Sequence, residues 1–469
     1  MTASAVNPQS DVHAADKFAS FVENFDLSSV PDSVIARAKL SILDAFGIAL
    51  ASRNYEFAKA ATAAISELGG DGEYPVIGSA LRLPHRDAAH LNSTLIHGLD
   101  FDDTHSEAVV HTSASAVPTM FISGLAVGAS GAQALSSFVI ASECSSRIGA
   151  AAHGGFHDKG FHPTGVVGAF GCTLAGGYLY GLNHEQLLDA QGIVLSKASG
   201  SLQFLDDGAW TKRSHPGWAC VCAHTAVIMS KHGYFGPRDP YFGRYGLFPL
   251  HTHAGIRINT EVLVEHLGEH WEMSNIGFKP YPACHLTHAF ADAALALKKQ
   301  YSLDVQDIEQ IVAYVHDSEI PVICEPAANK IRPQNSYDAQ FSVNYLIAAS
   351  LVRDRFGLAE LEDDALTNPE ILDLCSKTSY QSDPDSAYPN YYSGAIDIVT
   401  RDGRRYHHRE QMHRGSAGNP MSEQDLTDKF LDNALRTISR EKAEKVMNLV
   451  LDLENSANLK DLAETLTTR

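Results

Sequence analysis

The chain has 469 residues, 44% hydrophobic and 20% charged, which is enough apolar material for a large core in one domain or two unequal ones and excludes disorder as the default state. Its 36 Lys and Arg stand against 56 Asp and Glu, and a formal charge of -20 repels nucleic acid and anionic membrane surfaces. The seven cysteines (Cys144, Cys172, Cys220, Cys222, Cys284, Cys324, Cys375) show no CxxC spacing and sit in apolar text, as in a reducing compartment.

The N-terminal MTASAVNPQSDVHAADKF has no basic stretch followed by an apolar run, so it reads as a short arm, and the cytoplasm is expected. From Asp16 to Leu50 the pattern is helical. Phe18, Phe21, Val22 and Phe25 recur at three and four, then Pro31-Asp32 opens a helix with Val34, Ala38, Ile42 and Phe46 on one face. His85 to Leu99, Ala132 to Ala152, Asn183 to Lys197 and Trp218 to His232 continue as helices rich in Ala, Gly and Ser, suited to close packing on one another. Thr112 to Ser142 carries no charge and is long enough to cross a bilayer, but Pro118, Gly124, Gly128, Gly131 and Gln133 make it a buried helical stretch instead. Gly160 to Leu182 reads the same way.

The character changes after Trp271. Asp307 to His316 alternates like a half-buried strand, and Gly394 to Tyr406 predicts a hairpin turning at Asp402-Gly403. Helices over Thr287 to Gln300 and Ala339 to Leu351 lie between them. Ser422 to Leu453 returns to helix, with Ser422 and Asp425 as a capping box. The expected fold is mainly α: a large all-helical domain from residues 1–271 and 410–469, plus a smaller α+β lid domain over 272–409.

Four polar clusters stand out against this apolar text. The densest runs His97-Gly-Leu-Asp100-Phe-Asp102-Asp103-Thr104-His105-Ser106-Glu107-Ala-Val-Val-His111 between two apolar helical stretches, where unpaired charge is costly. It reads as a ligand site, as a solvated turn with caps at Asp103 and Ser113, or as a metal site of Asp100, Asp102, Asp103, His105, Glu107 and His111. No metal spacing such as HExxH is present, and the expectation is no metal and no cofactor. In Gly160-Phe-His162-Pro-Thr-Gly165, a His precedes Pro where a small-residue helix begins, either as a working imidazole or as one satisfied by backbone. Thr211-Lys212-Arg213-Ser-His215-Pro-Gly217 offers Lys212 or Arg213 to a carboxylate, with a solvated basic pair as the plain alternative. Lys279-Pro-Tyr-Pro-Ala-Cys284-His285-Leu-Thr-His288 places His285, His288 and Asp292 at helical spacing. No nucleophile elbow, GxGxxG or Walker sequence appears.

Together these clusters resemble the MmgE/PrpD family, which includes 2-methylcitrate dehydratase, cis-aconitate decarboxylase and iminodisuccinate epimerase. AKLSILDAFGIAL, DFDDTH, GFHPTG, TKRSHPG, KPYPACHLTHAFADA, AQFSVNY and GNPMSEQDLTDKF occur in order over nearly the whole chain. The resemblance implies a helical domain with an α+β lid in a homodimer. It also matches Asp100, Thr104, His111, His162 and Lys212 to positions that line the active site of decarboxylase relatives. HSEAVV between Thr104 and His111 is similar to the fungal decarboxylase branch. Cys284 stands where animal decarboxylases carry His, which makes Cys284, His285 and His288, with Arg213, candidates for substrate binding.

The reactions in this family place or remove a proton on carbon beside carboxylates without a redox cofactor, which imidazoles do near neutral pH. The expected function is a cofactor-independent lyase, dehydratase or decarboxylase, acting on a small di- or tricarboxylate. His111 and His162 serve as acid and base, Lys212 anchors a carboxylate, and Asp100 and Thr104 orient the site. The alternatives are an epimerase of a dicarboxylate such as iminodisuccinate, and a noncatalytic carboxylate-binding protein.

Overall fold

A computed structural model describes residues 13–205, 208–388 and 391–468, so residues 1–12 of the expected N-terminal arm lie outside the described residues, while its last part, from Ala14 to Phe18, is the start of a helix rather than an arm. By internal contacts the chain divides into two units, residues 1–277 with 422–469 and residues 278–421.

The first unit is helical. Its main elements are α1 (Ala14–Glu23), α2 (Asp32–Ser52), α3 (His85–Ile96), α4 (Ser113–Pro118), α5 (Gly131–Ala151), α6 (Pro163–Leu179), α7 (His184–Leu195) and α8 (Thr211–Lys231). The apolar faces expected of α1 and α2 are buried through Phe18, Val22, Val34, Ala38, Ile42 and Phe46. Helix α6 is buried on every side over most of its length. Its glycines explain how. A Cβ on Gly168 would meet Ser115 Oγ of α4 at 2.9 Å, and one on Gly171 would meet Ser145 Oγ of α5 at 2.1 Å and Ala141 O at 2.5 Å. Likewise a Cβ on Gly217 of α8 would meet His90 O of α3 at 2.6 Å, so backbone approaches backbone where side chains would not fit.

Residues 112–142 are not one helix. Helix α4 passes at Pro118 into a π-helical turn over Thr119–Ser123, then a short helix ends at Gly128 in the left-handed conformation. Pro118 removes a backbone donor, and the widened turn absorbs the mismatch. No helix among the described residues is long and apolar enough to cross a membrane. Helix α8 begins at Thr211, seven residues before the expected start at Trp218, with Pro216 inside its second turn.

The second unit is α+β. Its sheet uses β3 (Ile308–Val315), β4 (Thr378–Ser382), β5 (Gly394–Thr400) and β6 (Arg405–Glu410); two short strands of the first unit, β1 (Thr104–His105) and β2 (Ile276–Gly277), precede them and pair antiparallel. The sheet order is β4-β3-β5-β6, with β3 and β4 parallel and the other pairs antiparallel. The β5–β6 hairpin turns at Asp402-Gly403, where Gly403 has φ +85° and Thr400 O accepts its N–H at 2.8 Å. Against the sheet lie α9 (His288–Tyr301), α10 (Val343–Arg353) and α11 (Pro369–Lys377), around Phe290, Leu297, Ile311, Leu346, Ile347 and Ile396.

The chain re-enters the first unit through α12 (Glu423–Ala434) and α13 (Arg440–Leu451), where a single helix was expected. The capping box opens α12, with Ser422 Oγ accepting the Asp425 N–H at 3.1 Å and Asp425 Oδ2 accepting the Ser422 N–H at 2.9 Å. Ser439 caps α13 after the break. Lys429 of α12 is buried against α2, its Nζ 2.8 Å from Asp44 Oδ1 and 2.9 Å from Phe101 O, which pins the start of the polar block.

Candidate active site

The polar block leaves α3 through a 3-10 turn, His97–Leu99, and reverses at Asp100, a left-handed residue with φ 52° and ψ 39°. Asp adopts this conformation at lower cost than most residues. Beyond it the backbone forms a tight loop in which His105 N–H donates to Val110 O at 2.8 Å and Val109, β-branched, is held at φ 54°. That is a strained position, sustained by the ladder on either side. The loop carries Asp102, Asp103, Thr104, His105 and His111 into the interior.

The three aspartates do three different things. Asp100 Oδ1 lies 2.8 Å from Lys212 Nζ. Asp102 Oδ2 lies 2.7 Å from His97 Nδ1, and its Oδ1 is 3.7 Å from His111 Nδ1. Asp103 accepts from Ser113 N–H at 3.1 Å and pairs with Ser113 Oγ at 2.5 Å, capping α4. Burial pushes the Asp103 carboxyl up to about 7, with Asp102 and Asp44 adding repulsion and Ser113 opposing it. Asp103 thus holds the first N–H of α4 from ten residues upstream, the N-cap position itself falls to Thr112, which makes no side-chain cap bond, and the turn is buried rather than solvated.

His111 is fixed through Nδ1, 2.9 Å from Asp103 O and 3.2 Å from Thr104 Oγ1, while its N–H donates to Thr164 Oγ1 of α6 at 3.1 Å. A carbonyl can only accept, so Nδ1 carries hydrogen and the lone pair of the neutral ring is on Nε2.

His162 is the N-cap residue of α6, extended as a residue before proline must be, with Pro163 at the first helical position. Its N–H donates to Gly200 O at 2.9 Å, and its ring Nδ1 lies 3.1 Å from His215 Nδ1. Burial, and after it the charges of His97, Lys212, His215 and His111, holds the His162 imidazole well below its ordinary range. His215 is pushed down to about 4 by burial first, then by His97 and Lys212. His162 is thus held neutral at neutral pH and can accept a proton or donate one N–H.

Lys212 and Arg213 occupy the first turn of α8, where the helix dipole disfavours a cation. Asp100 offsets this for Lys212. Arg213 turns elsewhere: its Nε donates to Gly98 O at 2.8 Å and its guanidinium lies 4.7 Å over the Phe57 ring. The structure therefore brings Asp100, Thr104, His111, His162 and Lys212 close together and directs Arg213 to a scaffold contact. His97, Asp102 and His215 join the same site. All three stood in the polar clusters, but only their spacing in the fold marks them out.

His97, Asp102 and His111 bring ligand atoms within 4.8 Å of one another, the group of described residues that could hold a metal ion. The Nδ1 atoms of both rings already donate to oxygen, so a cation bound through Nδ1 would have to displace those bonds. Of Asp100, Asp102, Asp103, His105, Glu107 and His111, only Asp102 and His111 meet in this group.

Cys284, His285 and His288 lie in the second unit. Cys284 N–H donates to Gln340 O at 2.9 Å, and buried His288 begins α9 with Nε2 3.1 Å from Ala283 O. The His285 ring is 4.8 Å from both His288 and His413, and 5.5 Å from Tyr392. His413, absent from the sequence candidates, is buried and pushed down to about 4 by desolvation. It sits in a stretch, QMHRGS, with no pattern to separate it from surface text.

Comparison with known proteins covers most of the chain. The MmgE/PrpD N-terminal domain matches residues 16–256, and the MmgE/PrpD C-terminal domain matches residues 281–455. The chain belongs to the MmgE/PrpD family. Among its MmgE/PrpD relatives is a cis-aconitate decarboxylase of Aspergillus terreus, 27% identical over 99% of this chain and 98% of the relative. The cis-aconitate decarboxylase-like protein oryM of Aspergillus oryzae is 26% identical over 98% of both chains. The human cis-aconitate decarboxylase is 25% identical over 94% of this chain and 92% of its own length.

Proposed function

We propose that this protein is a lyase that removes carbon dioxide from a small unsaturated tricarboxylate of the cis-aconitate type, without a redox cofactor. Full-length similarity to cis-aconitate decarboxylases supports the reaction class, and the juxtaposition of neutral His162, Lys212 and Nδ1-anchored His111 supports the mechanism. Loss of carbon dioxide leaves an electron pair on carbon that must take a proton, so R–CO2⁻ and H⁺ become R–H and CO2. Lys212 anchors a retained carboxylate, shared with Asp100 in the resting site. Because His162 is neutral, a leaving carboxylate beside it has no strong ion pair to break. His111 delivers the proton from Nε2, and Asp102, 3.7 Å from Nδ1, stabilises the charged form of that ring. Thr104 and Asp103 O fix its orientation.

The neutrality of His162 also favours a second reading, in which it abstracts a proton beside a carboxylate and water departs. NMR in D2O separates the two. Incubated with cis-aconitate, citrate, 2-methylcitrate and iminodisuccinate, the protein is expected to release CO2 from cis-aconitate and place one deuterium on product carbon. His162→Ala is expected to lower turnover by ~10²–10⁴-fold. Folded His162→Ala with unchanged turnover sinks the assignment; deuterium exchange with loss of water or inversion moves it to dehydratase or epimerase. Binding without any exchange leaves a carboxylate-binding protein.

A further inference from the structure

The proton-transfer reading gives no role to His97, a buried imidazole that lies between the two it uses. His97 is 1% exposed, and its Nδ1 is held by Asp102 Oδ2 at 2.7 Å. Its ring centroid lies 4.9 Å from that of His111, edge to face, and 5.5 Å from that of His162, near parallel at 24°. His111 and His162 are 6.4 Å apart, so His97 is closer to each than they are to one another. Its Nε2 is buried and makes no hydrogen bond to the described residues. A buried ring nitrogen without a partner is costly, and such groups persist where they serve a site.

Resting on the proton-transfer reading above, we propose that His97, held by Asp102, is a positioning residue that fixes the His111 and His162 rings and decides where the cluster's proton resides. Asp102 is the only carboxylate within 4 Å of two of these imidazoles among the described ion pairs, serving His97 through Oδ2 and His111 through Oδ1. A proton taken up by the cluster is therefore drawn to the Asp102 side. His162 faces His97 from the 3-10 turn, His111 from the loop, and Lys212 and His215 from α8, with the Phe204 ring 5.9 Å away as an apolar wall. All four charged or titratable neighbours oppose a proton on His162, and His97 is the largest of them. The division keeps one imidazole ready to receive charge while its neighbour carries it.

The test is His97→Asn in the full chain, since the Asn amide reproduces the Nδ1–H donor to Asp102 and deletes the titrating ring. Imidazole ¹⁵N NMR is expected to show His162 titrating about one pH unit higher, a tenfold change in its proton population. The acid limb of the kcat pH profile is expected to move up by the same amount, with KM changed less than about threefold, because no substrate contact is lost. A folded His97→Asn protein in which neither the His162 titration nor the acid limb moves overturns the proposal. Should that variant not fold, the unmodified protein answers the same question: the His162 resonance must shift in a step coincident with protonation of His97, and independent titration of the two rings overturns it. Neither NMR measurement uses substrate. A protein that turned over no carboxylate would sink the lyase reading while these titrations still judged the His97 assignment.

Discussion

Asp103 joins a helix cap to a buried carboxyl pushed up to about 7, and the combination has a pH signature. The folded state holds its proton more tightly than the unfolded chain, whose value is near 3.8, so between those limits the native state binds more protons. Its contribution is fully present below the unfolded value and is lost as pH rises towards about 7. Asp103→Asn mimics the protonated form, accepting from Ser113 N–H and donating to Ser113 Oγ. Urea unfolding of the variant is expected to lose part of the stability decline between about pH 4 and pH 7, with roughly 4 kcal/mol as the ceiling. An unchanged decline would mean that Asp103 ionises in the fold. The DFDD text does not reveal this division of labour, because its aspartates are chemically identical. Backbone conformation decides it: left-handed Asp100 is turned to Lys212, and the two residues after Phe101 point at His97 and Ser113.

At the scale of elements, the Gly165, Gly168 and Gly171 ladder lets α6 press against α4, α5 and α8. Gly171→Ala places a methyl 2.1 Å from Ser145 Oγ and 2.5 Å from Ala141 O, and backbone oxygen cannot swing aside. Destabilisation of about 1–3 kcal/mol by overpacking is expected, larger than the helix-propensity gain of about 1 kcal/mol, and a lowered urea midpoint with unchanged slope checks it. This packing was legible from small-residue composition, and so were the α12 capping box and the β5–β6 turn, because each is written in local residues. What was not legible depends on tertiary contact. Helix α8 runs through Pro216, which reads as a boundary in isolation. The break before Ser439 leaves the apolar period intact on both sides. Strand β4 follows α11 without a turn residue and joins its neighbour in parallel, a pairing that only the assembled sheet specifies.

For the molecule as a whole, the charge of -20 and the exposed apolar residues act in opposite directions. Large apolar side chains stand in solvent within one stretch of the first unit: Leu205, Trp210, Trp218, Tyr234, Tyr245 and Phe235, the last 79% exposed. Aromatic exposure concentrated in this way fits a surface covered by another chain, and a second copy is the partner the homodimer reading supplies. Two protomers of equal negative charge repel at long range, whereas burial of aromatic area does not depend on charge. Salt screens the first and leaves the second, over a distance that shrinks from about 30 Å at 0.01 M to about 10 Å at 0.1 M. The homodimer reading therefore predicts association that tightens with added salt. Sedimentation is expected to give twice 50.7 kDa at micromolar concentration. The Phe235→Glu variant should shift that equilibrium to monomer with its helical circular dichroism retained. A monomer at every salt concentration, or a dimer indifferent to Phe235→Glu, would move the interface off this stretch. Trp210 precedes the first turn of α8, so loss of the dimer is expected to lower turnover by loosening the turn that carries Lys212.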